Sequence, residues 1–210
     1  MYEEGLNKHR IYVDETGFNL WTKRAYGRAR MGERVNRVVR GQRGNNITVI
    51  VAISDQVGVL YYEVKEGGVN QEKFADFLTS LSVVIGEEEA AEAVVVMDNA
   101  PCHRRAHEWP NLSIKYLPPY SPFLNPIEEC FSVFKAYLKH RLNDISAANL
   151  DNAAAARREG VPLYRRRLQQ LRAAVRETLQ PSVTREVVAA NYQHSNTYLM
   201  SCIQLSDINH

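Results

Sequence analysis

Three acidic residues, Asp14, Asp98 and Glu128, stand where apolar or stiffened chain delivers them. Asp14 closes the run from Ile11, Asp98 closes the apolar run Ala93 to Met97, and Glu128 ends a proline-rich stretch that begins at Tyr116. Carboxylates that meet repel one another and resist ionisation unless a cation sits between them. Magnesium answers that need, because it takes oxygen ligands and is held by few carboxylates, with waters and substrate phosphates completing its shell. A pair of such ions can activate a water and stabilise a leaving oxygen, so phosphodiester cleavage needs no protein nucleophile. The chain offers no glycine loop ending in Lys-Ser or Lys-Thr and no nucleophile-elbow serine, which argues against ATPase and serine-hydrolase chemistry.

Each acid also has a plainer reading. Asp-Glu-Thr-Gly at Asp14 and Asp-Asn-Ala-Pro at Asp98 are reasonable turn sequences. Asn125-Pro-Ile-Glu128 is close to a capping box, in which the glutamate reaches back to the Asn125 amide. A different metal reading uses Cys102, His103 and His107, the histidines being four apart as on a zinc-binding helix face. Arg104 and Arg105 lie between them and the acid of the metalloprotease pattern is missing, so solvated or structural histidines are the better reading.

The elements that must hold these acids follow from pattern. Ile11 to Asp14 reads as a short strand. Ile47 to Ile53 and Val57 to Val64 are β-branched runs joined by Ser54-Asp55-Gln56, the signature of an antiparallel hairpin. Phe74, Phe77, Leu78 and Leu81 recur at helical spacing, predicting a helix over Gln71 to Val84. Ala93 to Met97 is apolar without alternation, as for a central strand buried on both faces. A short helix is expected over Pro101 to Trp109 and a strand over Leu112 to Tyr116.

Four of the eight prolines (Pro118, Pro119, Pro122 and Pro126) fall within the stretch leading to Glu128. Asn125 suits the N-cap of the next helix, Pro126 its first position and Glu128 its third. That helix runs to Arg141 with Ile127, Phe131, Phe134 and Leu138 inward, which places Glu128, Lys135 and Lys139 on the flank and Glu129 further round. Beyond it lie an alanine-rich segment from Asp151 to Arg158, a basic helix from Leu163 to Leu179 and a further helix from Val183 to Tyr192. The order predicts a mixed-sheet α/β fold, with a core over residues 1–145 and a helical extension over 146–210.

Net charge is only +2, but it is unevenly spread. Lys23, Arg24, Arg28, Arg30, Arg34, Arg37, Arg40 and Arg43 are opposed by Glu33 alone, and a second basic cluster runs from Arg157 to Arg176. Such patches suit a polyanion, although each also reads as a solvated surface. The apolar runs are too short to span a bilayer and the first ten residues are mostly polar, so a soluble, intracellular protein is expected. Three cysteines, Cys102, Cys130 and Cys202, lack paired spacing and suggest neither a disulfide framework nor a four-thiolate zinc site.

Taken together, Tyr12-Val-Asp14-Glu-Thr-Gly-Phe, Met97-Asp98-Asn-Ala-Pro-Cys-His103 and Leu117-Pro-Pro-Tyr-Ser-Pro-Phe-Leu-Asn-Pro-Ile-Glu128 resemble the catalytic domain of Tc/mariner-superfamily transposases. The resemblance covers about Arg10 to Arg141. It implies a ribonuclease H-like fold in which Asp14, Asp98 and Glu128 form the catalytic, metal-binding triad for two magnesium ions, with manganese as substitute. The implied reaction is DNA strand cleavage followed by strand transfer. DNA is then the partner, held by Lys23, Arg24, Arg28, Arg30, Arg34, Lys135 and Lys139, with His103 near the scissile region. A homodimer is left open, and neither a membrane nor a small-molecule cofactor is expected. The location implied is the nucleus of a eukaryote, or otherwise the cytoplasm with the nucleoid.

The sequence departs from the family pattern in three places. Phe123 stands where the family usually has Asp, and the spacing from Asp98 to Glu128 is somewhat short. Full-length relatives carry helix-turn-helix modules ahead of the first strand, for which the residues before Arg10 leave no room. A fragment or a truncated descendant is therefore expected, with a non-catalytic DNA-binding or self-associating relic as the alternative.

Overall fold

The structure is a computed structural model that describes residues 8–19, 31, 46–104, 112–148 and 158–207. Its centre is a five-stranded sheet formed by β1 (His9–Asn19), β2 (Asn46–Ser54), β3 (Gly58–Glu66), β4 (Ala93–Met97) and β5 (Ile114–Tyr116), in the order β3-β2-β1-β4-β5. β2 pairs antiparallel with both β1 and β3, while β1–β4 and β4–β5 are parallel. Alternation along the strands sends side chains to two cores. Ile11, Val13, Ile50, Ala52, Val95 and Met97 meet α1 (Gln71–Ile85) on one face. Tyr12, Val49, Val51, Ile53 and Val96 meet helices α3 (Pro126–Ala148), α4 (Leu163–Ser182) and α5 (Arg185–Asp207) on the other.

Local chemistry fixes the boundaries. The Asn70 side chain caps α1 by accepting from the Lys73 amide at 3.0 Å, and Gly86 ends it at φ 79°. A short helix, α2 (Glu87–Glu92), follows and puts three glutamates in its first turn, where the helix dipole favours them. Gly58, at φ 87° after the β2–β3 hairpin, has no room for a side chain, since a Cβ there would come within 2.9 Å of the Arg185 amide nitrogen. The start of α5 therefore packs against the hairpin backbone.

Three expectations change. β1 does not end at Asp14 but continues to Asn19, because its ladder with β2 runs on to Asn19↔Asn46 after β4 has ended at Met97. Residues 101–104 form a turn, not the start of a helix, and 105–111 lie outside the described residues. α3 runs on to Ala148 and does not stop at Arg141. The helices beyond it share a core with the sheet, and α5 is bonded to β1: the Tyr192 hydroxyl donates to the Arg10 carbonyl at 2.7 Å. Among the described residues no helix is long and apolar enough to cross a membrane.

Candidate metal centre and nucleic-acid site

The three acids reach one cavity by three routes. β1 and β4 are parallel neighbours with Tyr12 opposite Val96, so the same register carried two residues on sets Asp14 level with Asp98. Both lie on the α3 side of the sheet, two residues beyond Tyr12 and Val96 of that core. The proline stretch lines the same cavity and leads into α3 at Pro126, which brings in Glu128. Asp14, Asp98 and Glu128 line a cavity of about 470 Å³ with Asn99, Arg104, Tyr120 and Asn125.

Burial differs among the acids. Asp14 is 7% exposed, whereas the Asp98 side chain is half-exposed and Glu128 is exposed. Burial, and after it the charges of Glu15, Asp98 and Glu128, pushes the Asp14 carboxyl up to about 7 against the lowering effect of the Glu15 amide. Two donors hold its oxygens: the Glu15 amide at 2.7 Å and the Asn125 side-chain amide at 2.9 Å. Asn125 thus spends its side chain on Asp14 instead of capping α3, and its own Oδ1 is buried with no partner. A site with crowded, hard oxygen donors and a carboxylate that resists charge fits a divalent cation of the magnesium type.

Beneath Asp98 lies a buried histidine. His103, expected to contact DNA, is 0% exposed and is therefore reassigned to the interior. Its Nδ1 is 2.7 Å from Asp98 Oδ1 and its Nε2 is 2.8 Å from Glu15 Oε2. The ring packs on Phe74 with centroids 4.1 Å apart. Burial opposes protonation of His103, but its contacts with Cys102 and Glu15 outweigh that and push it up to about 11. Cys102 donates to Glu15 Oε1 at 3.3 Å, and the Ala100 amide donates to Asp98 at 2.9 Å. Glu15 alternates with Asp14 along β1, so it serves the opposite face of the sheet; that alternation was the signal by which sequence reasoning could have paired it with His103.

Of the two glutamates opening α3, only Glu128 lines the cavity. Glu129 turns to α5, where it accepts from His194 at 2.6 Å. Phe123 makes an aromatic contact, its ring lying 5.6 Å from that of Tyr198 on α5. Lys135 and Lys139 are exposed along α3. Lys23, Arg24, Arg28, Arg30 and Arg34, with His107, lie outside the described residues.

Residues 9–149 match the model of the DDE superfamily endonucleases. The chain belongs to that superfamily. This DDE domain also matches solved structures of the Mos1 mariner transposase. The match to the paired-end complex with Mn has 19% identity and a TM-score of 0.56, covering 97% of this chain and 57% of that one. The complex with Mg gives 20% identity and a TM-score of 0.56, covering 92% and 55%. At such identity the likeness establishes the fold, a ribonuclease H-like mixed sheet with helices at its C-terminal end. The DDE domain spans a little over half the length of those transposase chains. No functionally curated protein matches it.

Proposed function

We propose that this chain is the catalytic domain of a Tc/mariner-type transposase, cutting DNA strands and joining them with magnesium or manganese. One observation carries the reading: three acids from separate segments line one cavity of a DDE-superfamily fold. Asp14, Asp98 and Glu128 would hold the ions. When bound, such ions activate water and stabilise a departing 3′ oxygen.

The chain's own residues do the rest. Asn125 and the Glu15 amide aim the Asp14 carboxylate, and His103 and the Ala100 amide aim that of Asp98. Helix α3 presents Glu128 at its N-terminal turn, with Lys135 and Lys139 beyond to track a phosphate backbone. The arginines between Lys23 and Arg43 would add salt-sensitive affinity without reading sequence. In this reading two copies would hold two DNA ends, in whichever compartment contains the chromosome.

The test is incubation with labelled duplex DNA and magnesium or manganese, beside Asp98→Ala. Metal-dependent nicking or joining that the variant loses supports the proposal. Tight binding without cleavage by the unaltered chain assigns it instead to a DNA-binding relic.

A further inference from the structure

Tyr120 stands at the rim of the acid-lined cavity. Its side chain is 99% exposed, and its φ of 60° lies in the left-handed region that glycine and asparagine adopt far more readily. It is the only described non-glycine residue with positive φ. Pro118 and Pro119 before it and Pro122 after it leave the backbone few alternatives. Nearby, the exposed ring of Phe123 rests on that of Tyr198. Among the described residues no ring, hydrogen bond or ion pair engages Tyr120. A stiff turn thus holds a bare aromatic face over the site.

Arg104 lines the same cavity, exposed and without an acidic partner among the described residues. A guanidinium beside a carboxylate cluster cannot be serving the metal, since it repels cations; it suits a phosphate. Acids for metal, a cation for phosphate and a free aromatic plane together match the parts of one nucleotide. The geometry points to a nucleotide subsite, in which Tyr120 stacks on the base of an unpaired nucleotide beside the scissile phosphate and Arg104 holds a flanking phosphate. This rests on the endonuclease reading and adds a requirement to it. A base within duplex has no free face, so the DNA must be frayed or single-stranded at that point.

The experiment measures binding of the full chain to a duplex with a single-stranded 3′ end, calcium replacing magnesium to keep it uncut. Each nucleotide near the 3′ end is made abasic in turn. Unaltered protein should lose about ten-fold in affinity at one position, the order expected for one base–aromatic stack. Tyr120→Gly, which relieves the backbone, should bind every DNA at the weakened level and be indifferent to the abasic site, while Tyr120→Phe keeps the discrimination. Arg104→Gln should weaken all the DNAs alike. Indifference of the unaltered protein to every abasic position, or discrimination surviving in Tyr120→Gly, overturns the subsite. If Asp98-dependent nicking persists in that case, the endonuclease reading stands without it; if the chain binds no DNA, both fall.

Discussion

His103 Nδ1 lies 2.7 Å from the Asp98 carboxylate while Nε2 of the same ring binds Glu15 at 2.8 Å. One buried ring therefore fixes the orientation of a half-exposed acid at the cavity. His103→Ala removes the donor to two carboxylates and leaves Glu15 with the Cys102 thiol alone. Loss of about 3 kcal/mol in denaturant unfolding is expected. His103→Asn, which keeps a donor of similar size, should recover much of that stability but still weaken manganese binding roughly ten-fold, as loss of a group that orients a ligand does. Titration with manganese followed by its paramagnetic signal separates the two effects.

Asp14 predicts a pH dependence of the metal-free protein. Its folded value of about 7 lies above the ordinary 3.8, so folding favours the protonated form. The contribution is fully present below about pH 4 and is lost as pH rises through about 7. It amounts to at most about 4 kcal/mol. Asp14→Asn should flatten this part of the stability–pH curve between pH 4 and 7, and magnesium should flatten it by favouring the carboxylate. Unfolding curves at stepped pH, with and without metal, check both.

Glu128 and Glu129 are adjacent but face different neighbours. Glu128→Ala should abolish metal-dependent nicking with little change in stability, because the residue is exposed. Glu129→Ala should keep the cleavage and instead free His194 of α5, an exposed pair whose loss costs under about 1 kcal/mol. Nicking assays and thermal unfolding on the two variants distinguish them.

Lys135 and Lys139 should contribute affinity without sequence preference. Replacing either with alanine is expected to weaken binding uniformly across unrelated duplexes and to reduce the slope of log affinity against log salt by about one. Binding measured over a salt series provides the check.

Much of this was legible because the relevant signals are local. The unalternating run Ala93 to Met97 reads directly as a strand buried on both faces, and Asn125-Pro126 reads as a helix start. The three acids that line the cavity stood out by motif, although the reach of β1 beyond Asp14 did not, since that depends on which neighbour continues the ladder. His103 was misplaced for a related reason. A histidine among polar residues looks exposed until the pairing of β1 with β4 brings Glu15 and Phe74 around it. Asn125 shows the converse: its type fitted a cap, but its side-chain amide donates to Asp14, 111 positions away in sequence, and its Oδ1 caps nothing.

The contacts of α5 with the start of α3 alter what the last helix is for. Through His194 to Glu129 and Tyr198 to Phe123, it braces the segment on either side of Glu128. This helix thus serves as a buttress to the acid-lined wall, and a protease cut ahead of Arg185 would unmoor that wall without touching a single acid.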